Sequence, residues 1–64
     1  MADDRLNVWD VLAAIREGKV LRIVQRTATY DTITDTGRRC TRHTARLARE
    51  GMAELGHDGV WRAK

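Results

Sequence analysis

Between Arg38 and Arg49 the chain carries five arginines and no acidic residue, interleaved with Thr44, Leu47 and Ala48. That interleaving has a helical period. Thr41 is placed to cap a helix running to about Leu55, with Gly56 just past its end. On that helix Thr44, Leu47, Ala48, Gly51, Met52 and Leu55 share one face. At about 100° per residue, Arg39, Arg42, Arg46 and Arg49 fall within roughly 80° of one another, about 180° from the apolar stripe. One side is built to bury and the other is almost purely cationic, with Glu50 and Glu54 on the flank near His43.

The rest of the chain supplies what that helix packs on. Asn7 caps a first helix over about residues 8–17, with Asp10 three residues on. Val8, Val11, Leu12 and Ile15 form its apolar face, and Gly18 is its stop. Residues 1–6 read as a lead-in. Val20-Leu21-Arg22-Ile23-Val24 and the Thr-rich run from Thr27 to Thr34 favour strands, over about 20–25 and 28–34, with a turn near Arg26-Thr27. Asp35-Thr36-Gly37 is a second turn. Asp58-Gly59 ahead of Val60-Trp61-Arg62 signals a C-terminal hairpin with His57 in its turn, Trp61 facing inward and Arg62 outward. The expected architecture is α+β, one domain over residues 1–64, in the order helix, two short strands, Arg-rich helix, C-terminal β wing.

Size and composition narrow the function. A domain of 64 residues buries only about 60% of its unfolded surface. Leaving out eight Ala and Met1, 18 sizeable apolar side chains remain, with no Phe and no Pro. That makes one thin core and leaves little to wall off a substrate pocket, so no enzyme and no cofactor are expected. No apolar run approaches the roughly 18 residues of a membrane span. The acidic Met1-Ala2-Asp3-Asp4 start lacks the apolar stretch of a secretory signal. A single cysteine forms no internal disulfide, which fits a reducing, cytoplasmic setting.

Charge gives the positive indication. Ten of the twelve basic residues are Arg, and the net charge is +3. Residues 1–37 hold five bases and six acids, whereas residues 38–64 hold seven bases and three acids. Like charges at helical spacing repel unless a polyanion meets them. Arg is also the side chain that forks onto phosphate and guanine.

From Thr41 onward the residues resemble the second half of winged helix-turn-helix proteins, bacterial transcription regulators in particular. The likeness rests on Thr41-Arg42-His43-Thr44-Ala45-Arg46-Leu47-Ala48-Arg49-Glu50-Gly51-Met52-Ala53-Glu54-Leu55, then Asp58-Gly59-Val60-Trp61-Arg62. Leu47-x-x-x-Gly51-Met52 is similar to the turn that closes a recognition helix, and the rest to a wing. The whole order resembles that of small proteins of actinobacteria and their phages. A standard winged helix has a further helix before the recognition helix, where residues 20–34 here read as strands. Either a hairpin supports the recognition helix in a reduced variant, or the Thr-rich run is helical against its propensity; propensity favours the first.

The resemblance and the charge together imply a cytoplasmic protein that binds duplex DNA, sequence-specifically or generally, and regulates transcription or a mobile-element process. Arg42 and Arg46 are placed to read base edges in the major groove, and His43 lies in the same turns. Arg38, Arg39, Arg49 and the Thr41 helix start would hold phosphates, with Arg62 and Lys64 doing so from the wing. A homodimer or a second protein alongside would extend the few base pairs one helix reads. The alternative is a phage- or plasmid-type interaction module whose Arg face docks on an acidic protein.

Other chemistry is weaker. Cys40 and His43 are three apart beside arginines that would lower a thiol pKa, but Cys40 is in phase with Thr44 and Leu47 and reads as a small buried hydrophobe. Cys40, His43 and His57 lack a paired Cys-x-x-Cys, so no metal site is expected. Trp61, Trp9 and Tyr30 read as core filler before they read as base-stacking platforms. The aspartates form no paired-carboxylate spacing, and no Gly-rich phosphate loop exists.

Overall fold

The first helix is set by its caps. In a computed structural model, which describes residues 6–64, α1 spans Val8–Arg16. Asn7 is extended, and its side-chain oxygen accepts the Trp9 backbone N–H at 2.8 Å, satisfying a donor the helix leaves free. Val11, Leu12, Ala14 and Ile15 are buried. The expected lead-in over residues 1–6 lies, apart from Leu6, outside the described residues.

The Thr-rich run is strand, as its propensity indicates. β1 (Val20–Val24) pairs antiparallel with β2 (Thr29–Ile33), from Val20 opposite Ile33 to Val24 opposite Thr29. Gln25 to Ala28 make the connection, closed by the Gln25 N–H donating to the Ala28 carbonyl at 2.8 Å. A third strand, β3 (Arg38–Arg39), adds to β2 after the turn at residues 34–37. The expectation of two strands ahead of the Arg-rich helix is therefore one short, and Arg38 and Arg39 belong to a sheet edge.

The second helix, α2, spans Thr41–Arg49 and is shorter than expected. Its N-cap is Cys40, which makes no side-chain capping bond, so Thr41 is the first helical residue. It ends at Arg49, with Glu50 as C-cap and Gly51 just beyond, five residues before Gly56. Gly51 sits at φ 75°, where its N–H donates to the Ala48 carbonyl at 3.1 Å and the Met52 N–H donates to the Leu47 carbonyl at 2.9 Å. Those two bonds close a helix end that favours glycine. Met52 and Leu55 continue the helical period by coincidence. Ala53–Leu55 instead forms β4, paired with β5 (Trp61–Ala63), Leu55 opposite Trp61. Ala48 and Gly51 are consequently exposed, and α2 itself buries Thr44 and Leu47.

A Cβ on Gly51 would meet nothing within 4 Å, so Gly51→Ala is expected to cost about 1 kcal/mol, from backbone strain alone. Urea denaturation checks this, and an unchanged midpoint would contradict it.

The result is α+β, in the order α1, β1, β2, β3, α2, β4, β5, with a three-stranded and a two-stranded antiparallel sheet. The C-terminal hairpin β4–β5 is hooked to the outer edge of β1. Leu21 bridges Val60, and the Arg22 N–H donates to the Gly59 carbonyl at 2.7 Å. Val20, Ile33, Cys40, Leu47, Ala53 and Trp61 close over the buried face of α1. Trp61 is core, as expected. Trp9 is not: it is 58% exposed, because it lies about 140° around α1 from the centre of the buried stripe. Among the described residues no helix is long and apolar enough to cross a membrane.

Candidate nucleic-acid interface

On α2 the side chains of Arg42, Arg46 and Arg49 fall within about 60° of each other and all three residues are exposed. Buried Thr44 and Leu47 lie on the opposite side of the helix. The three cations do not share one state. The Arg46 Nε donates to Glu50 Oε2 at 2.9 Å, one turn on. Among the described residues, Arg42 and Arg49 have no carboxylate within ion-pair distance. The Arg46–Glu50 pair is exposed on both sides, and such pairs contribute only about 0–1 kcal/mol. A stronger anion therefore displaces it at little cost.

The flanking residues complete the picture with some corrections. Arg39 does not continue the helical stripe. From β3 its guanidinium lies over the Tyr30 ring, 4.2 Å from the centroid, which presets its orientation. Arg38 is half-buried beside it, and its carbonyl accepts the Thr32 hydroxyl at 2.9 Å. The Thr41 hydroxyl accepts the Asp31 backbone N–H at 2.9 Å, so this side chain anchors the helix start to β2. Arg39, Cys40, Thr41, Arg42 and half-buried His43 line an open depression of about 250 Å³ at the start of α2.

On β5, Arg62 is exposed but held. Its two terminal nitrogens donate to both Asp58 oxygens, at 3.2 and 2.9 Å. The Arg62 hydrogen bond, with the Val60 N–H as second donor, pulls the Asp58 carboxyl down to about 2. Lys64 is exposed, and its backbone N–H ties the end of the hairpin to the Met52 carbonyl at 3.1 Å. His57 lies in the turn between β4 and β5, the hairpin turn in which it is expected.

Beneath this surface lies a group that spacing alone does not single out. Asp31, at the centre of β2, is fully buried. The Arg22 Nε and Nη2 donate to its two oxygens at 2.9 and 3.2 Å. The Trp61 indole N–H donates to Oδ1 at 3.0 Å, and the Thr44 hydroxyl donates to Oδ2. The Asp31 carbonyl accepts the Cys40 N–H at 2.9 Å. One carboxylate thus joins β1, α2 and β5. Among the described residues no buried side-chain polar atom lacks a partner.

Burial alone would raise the Asp31 pKa. The hydrogen bonds from Arg22, Thr44 and Trp61, with the Arg22 charge, outweigh it and hold the carboxyl below its ordinary value. A depressed folded-state pKa contributes stability above the unfolded value of about 3.9, lost as pH falls through the folded value. Acid unfolding below about pH 4 is therefore expected to steepen in the native chain relative to Asp31→Asn. Stability measured by circular dichroism across that range checks it; parallel curves would contradict it.

Cys40 is buried, and burial followed by the nearby Asp31 charge pushes its thiol up to about 11. The flanking arginines do not activate it, and it stays protonated at neutral pH. Among the described residues no group of three or more His, Cys, Asp or Glu is placed to hold a metal ion. Comparison with protein-family models, with curated proteins and with solved structures finds no match to this chain.

Proposed function

We propose that the protein binds duplex DNA through the exposed arginine face of α2 and the C-terminal wing, as a small winged-helix-like transcription regulator. The observation that carries this reading is the face itself. Arg42 and Arg49 project from the side of α2 opposite its buried residues, with no carboxylate to neutralise them among the described residues. In this reading the β1–β2 hairpin and β3 take the place of the helix that ordinarily precedes a recognition helix. Arg42 and Arg46 reach base edges. Arg38, Arg39, Arg49, Arg62 and Lys64 hold phosphates, as does the α2 start at Thr41. A homodimer, or a second protein bound beside this one, lengthens the site read.

One observation favours a second reading. Arg46 and Arg62 each already grip a carboxylate, the chemistry by which the same surface would dock on an acidic protein. Titrating random duplex DNA in a gel shift at rising salt separates the two. Contact with about five phosphates gives a slope of log affinity against log salt near −4 to −5. No shift even at low salt would sink the DNA reading and leave the acidic partner.

A further inference from the structure

We propose that Asp31 is a positioning residue: it fixes the wing against α2 so that both meet one stretch of polyanion together. The inference rests on the DNA reading above and adds the element that makes helix and wing a single surface.

The wing cannot hold its own orientation. Two strands of three residues each make a hairpin that is marginal in water without support. Its attachments to the three-stranded sheet converge on one cross-strand pair, Arg22 opposite Asp31. The Arg22 backbone holds the Gly59 carbonyl, and the Arg22 guanidinium lies 5.6 Å from the Trp61 ring centroid. Asp31 takes the Trp61 indole N–H with one oxygen and the Thr44 hydroxyl of α2 with the other.

The hydrophobic effect that holds this core together is not itself directional. Hydrogen bonds to a carboxylate impose direction on every donor. A buried ion pair is weak evidence for stability, since apolar packing of equal volume often serves as well. What the carboxylate supplies that leucine would not is a fixed angle between wing and helix.

Trp61→Phe keeps an aromatic ring in the core and removes the donor to Asp31, while also shrinking the ring against Arg22. Its effect is read as the salt slope of duplex binding, beside the double variant R62A/K64A, which removes the wing cations. Loss of the wing contacts alone lowers the slope magnitude by about 1 to 2. The expected result is that Trp61→Phe produces this drop and that adding it to R62A/K64A produces no further one. An unchanged slope, or a drop that adds in full to that of R62A/K64A, would overturn the proposal. Should Trp61→Phe fail to fold, Thr44→Val cuts the same link from the helix side and is held to the same two outcomes.

Residual dipolar couplings of the free protein keep this test apart from the DNA reading. They are expected to show the β4–β5 amides reoriented relative to α2 in the variant. Reorientation without any duplex binding by the native chain would overturn the DNA reading alone. Unchanged orientation would overturn the positioning role, whatever DNA does.

Discussion

Replacing Asp31 with alanine is expected to leave most of the protein unfolded at room temperature. The carboxylate is fully buried and takes Arg22, Thr44 and Trp61 at once. Removing it strands the Arg22 guanidinium, on a side chain about one-third exposed (35%), together with the buried Trp61 indole N–H, while the Thr44 hydroxyl keeps the Thr41 carbonyl as acceptor at 3.0 Å. Breaking one side of such a pair costs about 3–5 kcal/mol, because the remaining charge keeps its desolvation penalty and loses its partner. A chain of this length has a total stability of roughly 3–10 kcal/mol, and small cores sit toward the low end. The loss is thus comparable to everything available. Urea denaturation followed by tryptophan fluorescence measures it. A loss under about 1 kcal/mol would mean that the network contributes less than an ordinary hydrogen bond, and the three-way clasp would have to be abandoned.

The second large effect is on binding. Arg42→Ala with Arg46→Ala is expected to weaken duplex affinity by at least about 2 kcal/mol, roughly 30-fold, since one bidentate base contact alone is worth about 1–3 kcal/mol. The two positions are not equal. Arg46 begins in a pair with Glu50 and has to exchange one carboxylate for another anion, whereas Arg42 has no such partner among the described residues. Arg42→Ala alone is therefore expected to cost more than Arg46→Ala alone. Both side chains are exposed, so neither change should alter the unfolding free energy by more than about 0.5 kcal/mol. Fluorescence anisotropy with labelled duplex resolves the ranking, and equal or negligible effects would contradict it.

Several elements are legible without coordinates because their signals are local. Asn7 and Gly18 bracket α1, the Thr-rich alternation marks β2, and Asp58-Gly59 marks the wing turn. The end of α2 is harder. Met52 and Leu55 stay in phase with Leu47, so periodicity carries the helix six residues too far, past Arg49 to Leu55. The sharper signal is Gly51 followed by an apolar residue, a local closure that overrides period. β3 is two residues long and both are arginine, which leaves no strand pattern to detect. Trp9 misleads because ring size argues for burial while its angle on α1 argues against it.

At the candidate interface, the exposed face of Arg42, Arg46 and Arg49 follows from spacing, as does the inward Cys40. The sheet position of Arg39 and the inward bond of Thr41 do not, since both depend on β3. Asp31 does leave a trace. It shares strand parity with buried Ile33, and Arg22 shares parity with buried Val20. Opposite charges on the core-facing positions of successive strands point to a buried cross-strand pair. The trace becomes an assignment only once the register sets Arg22 opposite Asp31, and no turn signature supplies that register.

The most direct measurement is a nuclear magnetic resonance titration of the native chain with duplex DNA, following every backbone amide and arginine side chain. The expected perturbations centre on Arg42, Arg46 and Arg49 and extend to Arg62 and Lys64, with α1 and the exposed Trp9 unmoved. Perturbations centred on α1, or none at low salt, would contradict the assignment of the arginine face as the surface that meets nucleic acid.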